Sequence, residues 1–188
     1  MLVGLALSAL PATAFDLAEL MGMMARRTSG EARFTEQRFV RGLDGPLVSS
    51  GTLSFQAPDR FARRTLEPRA ESMVVQGNQV TLSRGGRSRT TTLDASPEAT
   101  VAVEALRGTL TGNAATLQKH FRPRVSGSAE RWTLELQPLD TAAAGPLVAL
   151  KVSGQRDEVR TVETQLQGGD ASVMTIDPVR PGAAKPAP

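Results

Sequence analysis

At 188 residues, with 40% hydrophobic and 22% charged side chains, the chain has the composition of one globular domain large enough to bury a core. It contains no cysteine, which excludes disulfides, thiol catalysis and cysteine-type zinc sites. The formal net charge is +3 and, of 22 basic residues, only Lys119, Lys151 and Lys185 are lysine. The arginines are spread among acids and apolar residues rather than clustered, so no nucleic-acid partner is expected.

Met1 to Leu10 is a short apolar run, followed by Pro11 and the small-x-small triplet Ala12-Thr13-Ala14. That is a secretory leader pattern without its basic start, so residues 1–14 are expected to be a truncated signal peptide. The run is too short to span a bilayer. The mature chain is expected to begin near Phe15 and to be soluble in the periplasm.

Phe15, Leu17, Leu20, Met21 and Met24 recur at helical spacing, with Asp16 and Glu19 in the first turn where the helix dipole favours acids. Ser29-Gly30 ends this segment. Its methionines are read as core, with an adaptable ligand surface as the alternative. Strands and turns follow. Breaks at Asp44-Gly45-Pro46, Pro58-Asp59, Pro68, Gly77-Asn78 and Gly85-Gly86 divide them into a meander, since parallel strands would need helical crossovers. Along Arg60 to Leu66, Phe61, Arg63 and Thr65 oppose Arg60, Ala62, Arg64 and Leu66.

Ser96 followed by Pro97 opens a midway helix that stops at Gly108, with Val101, Ala105 and Leu106 facing inward. A second short helix begins at Asn113 and runs through Leu117 and Lys119. Strands then return. Trp132, Leu134 and Leu136 alternate with Thr133, Glu135 and Gln137, the cleanest half-buried strand of the chain. Segments at 147–152, 159–167 and 172–176 complete about eleven strands. A sheet of that size bends as its twist accumulates, and the apolar helix faces must cover its concave side. Residues 179–188 are expected to be a disordered Pro/Ala-rich tail.

Several segments in this order resemble the LolA/LolB-type periplasmic lipoprotein carriers, across residues 15–178. They are Ala32-Arg33-Phe34-Thr35-Glu36 after the first helix; Gly51-Thr52-Leu53-Ser54-Phe55 with Pro58-Asp59-Arg60-Phe61; Pro68 with Ser72 to Asn78; Leu106 to Gly112; and Trp132 to Pro138. The resemblance implies a mainly β (α+β) fold, an incomplete antiparallel β-barrel with helices lidding a hydrophobic cavity on its concave face. It also implies acyl chains of a lipoprotein or lipid as cargo, an inner-membrane donor, an outer-membrane acceptor, and a monomeric carrier. The arginine that the family often carries before its proline is Ala57 here, so the chain looks like a divergent member serving another lipid. Arg60 or Arg64 could replace that arginine.

On this reading residues 98–110 and the N-terminal helix close over Leu53, Phe55, Phe61, Met73, Val75 and Leu82. Leu106, Leu110, Trp132, Leu134 and Leu136 complete the cavity, and Arg60, Arg63 or Arg64 at the rim meets a cargo carbonyl or head group. Burying a methylene contributes about 0.8 kcal/mol, so a dozen give on the order of 10 kcal/mol; opening a lid must offset part of this for release. No cofactor or metal is expected and no enzyme: the one histidine, His120, stands alone, and Glu36, Asp94 and Glu98 would pair only if the fold brought them together. The alternative is an envelope interaction or sensor domain that grips a partner protein with the same fold.

Overall fold

Asp16 starts the first helix by local chemistry. Its carboxylate accepts the Glu19 backbone N–H at 2.9 Å, and the Glu19 side chain accepts the Asp16 N–H at 3.3 Å. This reciprocal cap satisfies two of the amides a helix start leaves free. The resulting helix α1, Leu17–Met24, buries Leu20, Met21, Met23 and Met24, so the methionines are core. The computed structural model describes residues 15–179. The signal peptide expected at residues 1–14 and the tail beyond Val179 lie outside the described residues.

Six strands follow as an antiparallel meander: β1 Ser29–Phe39, β2 Leu47–Gln56, β3 Arg60–Glu67, β4 Glu71–Gln76, β5 Gln79–Arg84 and β6 Arg87–Thr92. Helix α2, Pro97–Leu110, begins where Ser96 Oγ accepts the Ala99 N–H at 3.3 Å, with Pro97 in the first turn. Helix α3, Ala114–His120, begins where Asn113 Oδ1 accepts the Thr116 N–H at 3.0 Å. Both caps stand where the sequence places them. A second meander runs through β7 Phe121–Ser128, β8 Arg131–Pro138, β9 Leu147–Gln155, β10 Glu158–Leu166 and β11 Ala171–Pro178.

All eleven strands form one sheet in the order β6-β5-β4-β3-β2-β1-β11-β10-β9-β8-β7. The first and last strands meet at its centre, where Phe34 pairs with Ile176 and Glu36 with Met174. The edges β6 and β7 do not pair, so the barrel is incomplete. Helices α2 and α3 carry the chain from one edge to the other and therefore cross the concave side.

The core lies beneath these helices in two clusters. The larger joins α1, Val101 and Ala105 of α2, and Leu117 of α3 to Phe121, Trp132, Leu134, Leu136 and Val152 of β7–β9. The smaller joins Val103 of α2 to Phe61, Val75, Val80 and Leu93. Gly112, between α2 and α3, holds a left-handed φ of +65°, and a Cβ there would collide with the Met21 carbonyl oxygen and the Ala25 backbone of α1. Only glycine lets the three helices converge at that point.

Candidate functional site

Strand register defines which side chains share the concave face. Phe61 and Val75 pack against α2, so every residue in phase with them points the same way. The inner row nearest the helix runs Gly30, Phe55, Phe61, Val75 and Val80 across β1 to β5. Within it the Phe55 and Phe61 rings stack with centroids 5.6 Å apart, an arrangement that adds to their burial. One step along the strands, the next row runs Ala32, Leu53, Arg63, Met73 and Leu82. Cover thins sharply between these rows. Phe61 is 3% and Val75 0% exposed, whereas Leu53 and Met73 are half-buried and Leu82 is 46% exposed.

Helix α2 explains the thinning. At about 100° per residue, Val101 and Ala105 enter the larger cluster and Val103 enters the smaller. Ala102 and Leu106 project between those two faces, toward the interior of the curved sheet. Both are exposed, Leu106 by 37%. The opposite side of the helix carries Thr100, Glu104 and Arg107, and Arg107 ion-pairs with Glu104 and donates to the Gly77 carbonyl at 2.8 Å. So α2 wedges between the two sheet halves at one end of the concavity, and its inner apolar side chains are left uncovered. Leu110, packed against both clusters, marks where the halves rejoin.

An ion pair links β3 to β1 on this inner face. Arg63 of β3 donates to Glu36 of β1 at 2.6 Å, with side chains 30% and 17% exposed, and its guanidinium lies 4.6 Å from the centre of the Phe34 ring. The contact spans β2, where the intervening position is Gly51. A Cβ at Gly51 would strike the Arg64 carbonyl oxygen, because the β2–β3 register shifts between Ser50 and Gly51. The missing side chain leaves the path that Arg63 crosses. Sequence reasoning named Glu36 only as a stray carboxylate; its period-two spacing from Phe34 was the available signal.

The expected site residues therefore divide. Phe61, Val75, Trp132, Leu134 and Leu136 are covered by protein. Leu53, Phe55, Met73, Leu82, Leu106 and Leu110 keep accessible apolar surface on or over the inner face. Of the three rim arginines, Arg63 is on the inner face. Arg60, bonded to Gln76 at 3.0 Å, and Arg64 are exposed on the outer face. Glu36 pairs with Arg63 and Asp94 bonds Asn78 at 2.7 Å, so these two acids serve separate contacts. His120 lines a recess of about 310 Å³ with Asp94, Thr100, Glu104, Arg107 and Lys119, on the opposite side of α2 from Leu106. Among the described residues no group of three or more His, Asp or Glu side chains is placed to hold a metal ion, and no helix is long and apolar enough to cross a membrane.

The family model for outer membrane lipoprotein carrier protein LolA-like sequences matches residues 9–187. The chain belongs to this LolA-like family. Its solved structural neighbours include a LolA superfamily protein from Nitrosomonas europaea, at 12% identity and TM-score 0.47 over 89% of this chain and 93% of that one. A DUF1329 family protein from Desulfovibrio piger matches at 8% identity and TM-score 0.48 over 90% and 92% of the two chains. A putative outer membrane lipoprotein-sorting protein domain from Vibrio parahaemolyticus matches at 10% and 0.44 over 90% and 93%. No curated protein matches in sequence. In this LolA-like chain the position before Pro58 is Ala57, and it is Arg63 that stands on the inner face.

Proposed function

We propose that this protein is a periplasmic carrier that holds the acyl chains of a lipoprotein or lipid against the open part of its concave face and shuttles them toward the outer membrane. The supporting observation is that Leu106 and Leu82, on the interior side of helix and sheet, are 37% and 46% exposed. Single exposed leucines on an outer surface are ordinary. Here the accessible side chains share one face, in register, next to the covered Phe61, Val75 and Val80. A hydrocarbon tail laid along Leu53, Met73, Leu82 and Leu106 would gain about 0.8 kcal/mol per methylene removed from water.

Release follows from the same geometry. Because α2 touches both clusters, a shift of the helix trades protein contacts at Val103 for cargo contacts at Phe61 and Val75, which keeps the net binding energy moderate. The carrier acts as a monomer between an inner-membrane donor and an outer-membrane acceptor, by binding and not by catalysis.

The test begins with protein purified from the periplasm. Solvent extraction and mass spectrometry should recover a stoichiometric acyl lipid, and a fluorescent fatty acid should bind the delipidated protein. Replacing Leu82 and Leu106 together with Gln should weaken that binding roughly tenfold, about 1.4 kcal/mol, with little change in melting temperature because both side chains are already half in water. Absence of lipid and of fatty-acid binding would refute the carrier. Recovery of a bound polypeptide in place of lipid would favour the partner-gripping interaction domain.

A further inference from the structure

Resting on the carrier reading, we propose that the cargo is anionic: an acyl chain that ends in a phosphate head group, with its tail on Leu53, Met73 and Leu82 and its phosphate on Arg84, Arg87 and Arg89. The β5–β6 hairpin is polarised against the usual rule. Its outer face carries neutral hydroxyls in hydrogen-bonded cross-strand pairs, Thr81 with Thr90 at 3.0 Å and Ser83 with Ser88 at 2.7 Å. Its inner face carries the charges. Arg84 pairs with Arg87 and Leu82 with Arg89, so all three arginines share the face of Leu82 and Met73. A half-buried strand normally turns charge to solvent and apolar groups inward.

The charge balance points to phosphate. Glu71 is the one acid on the inner face of β4–β6, and it lies 3.9 Å from Arg84 with both side chains about half exposed or more. Arg87 and Arg89 form no salt bridge among the described residues. Three arginines against one glutamate leave an excess of two positive charges, which matches the −1.5 to −2 of a phosphate monoester rather than the single charge of a carboxylate. Directly paired side chains sit about 5 Å apart and successive inner positions about 7 Å apart, within reach of one phosphate. The inner faces of β8 and β9 carry no charge: they present Trp132, Leu134, Leu136, Leu150 and Val152. Arg84, Arg87 and Arg89 sit together at the β6 edge of the sheet, beside its accessible apolar row. Arginines on an edge strand also discourage sheet-to-sheet pairing, but that role is indifferent to which face they occupy.

The test uses delipidated protein and three probes sharing a palmitoyl chain, below their micellar concentrations: 1-palmitoylglycerol 3-phosphate, 1-palmitoylglycerol and palmitate. Displacement of a fluorescent fatty acid should show the phosphate probe binding about tenfold tighter than palmitoylglycerol at low salt, a margin set by several exposed charge contacts of a few-fold each. The margin should narrow at high salt. The Arg87→Gln/Arg89→Gln variant, with its sheet verified by circular dichroism, should cut it to twofold or less. Equal affinity for the phosphate and neutral probes, palmitate binding as tightly as the phosphate probe, or an undiminished margin in the variant would each overturn the proposal. Failure of all three probes to bind would instead overturn the carrier reading beneath it.

Discussion

In the β7–β10 half of the sheet, Phe121 and Trp132 are each 1% exposed and Leu134 and Leu136 are 0% exposed, beneath α1, α2 and α3. In the β2–β6 half, the same inner face has α2 across one end alone, and cover falls away within one step along the strands, from Val75 at 0% to Leu82 at 46%. The two halves use similar apolar residues. What differs is the helical cover, which follows from connectivity: α1 precedes β1, yet it packs with α3 and β7 on the far side of the sheet. The fold thereby separates the fully covered cluster of one half from the accessible apolar side chains of the other. On the proposed carrier reading, the larger cluster stays intact as cargo comes and goes, so exchange draws on little of a stability that is only about 5–15 kcal/mol in most domains.

The sharpest way to break this comparison is to truncate one side chain in each half. Trp132→Ala removes the largest buried ring and strands the Arg156 carbonyl that accepts its Nε1–H at 2.7 Å. It should cost about 3–5 kcal/mol. Leu82→Ala should cost about 1 kcal/mol or less, since half of its surface is already in water. Urea midpoints measure both, and similar losses would show that the two halves are equally packed. Gly112→Ala comes next. A left-handed φ and the clash with the α1 backbone should together cost about 2 kcal/mol. Hydrogen exchange should speed up in α1 more than in β3–β5; uniform acceleration would mean that α1 is not an independently docked cover.

These contrasts were unevenly legible in the sequence. Alternation at Trp132, Leu134 and Leu136 and the caps at Ser96 and Asn113 are local signals and stand as expected, but α2 runs through the expected stop at Gly108 to Leu110, with Gly108 packed against Leu117 of α3. The separation of Phe61, Arg63 and Thr65 from Arg60 and Arg64 was equally local, yet only Arg63 of the three arginines stands on the inner face. Pairing of β1 with β11 was not legible, since its partners are more than 130 residues apart and no short-range pattern encodes them. Nor was the two-sided packing of α2. The run Val101, Val103, Ala105, Leu106 and Leu110 is apolar around most of the helix, a sign that more than one face is covered. Which faces are covered depends on the two sheet halves closing around it.

The smallest expected effect concerns Arg63 and Glu36, which join β3 to β1 across Gly51 at the boundary between the halves. Because Arg63 remains 30% exposed, water screens the attraction, and the contact with Phe34 adds only a modest cation–π component. A double-mutant cycle with Arg63→Met and Glu36→Gln should give a coupling of about 0.5–1 kcal/mol. Arg63→Met alone should cost more than the double change, because it leaves a mostly buried carboxylate without its partner. If instead the coupling falls below about 0.2 kcal/mol, the pair is not fastening the two halves. Arg63 would then be free to leave Glu36 and, on the proposed carrier reading, to meet a head group beside the half-buried Met73 and Leu53.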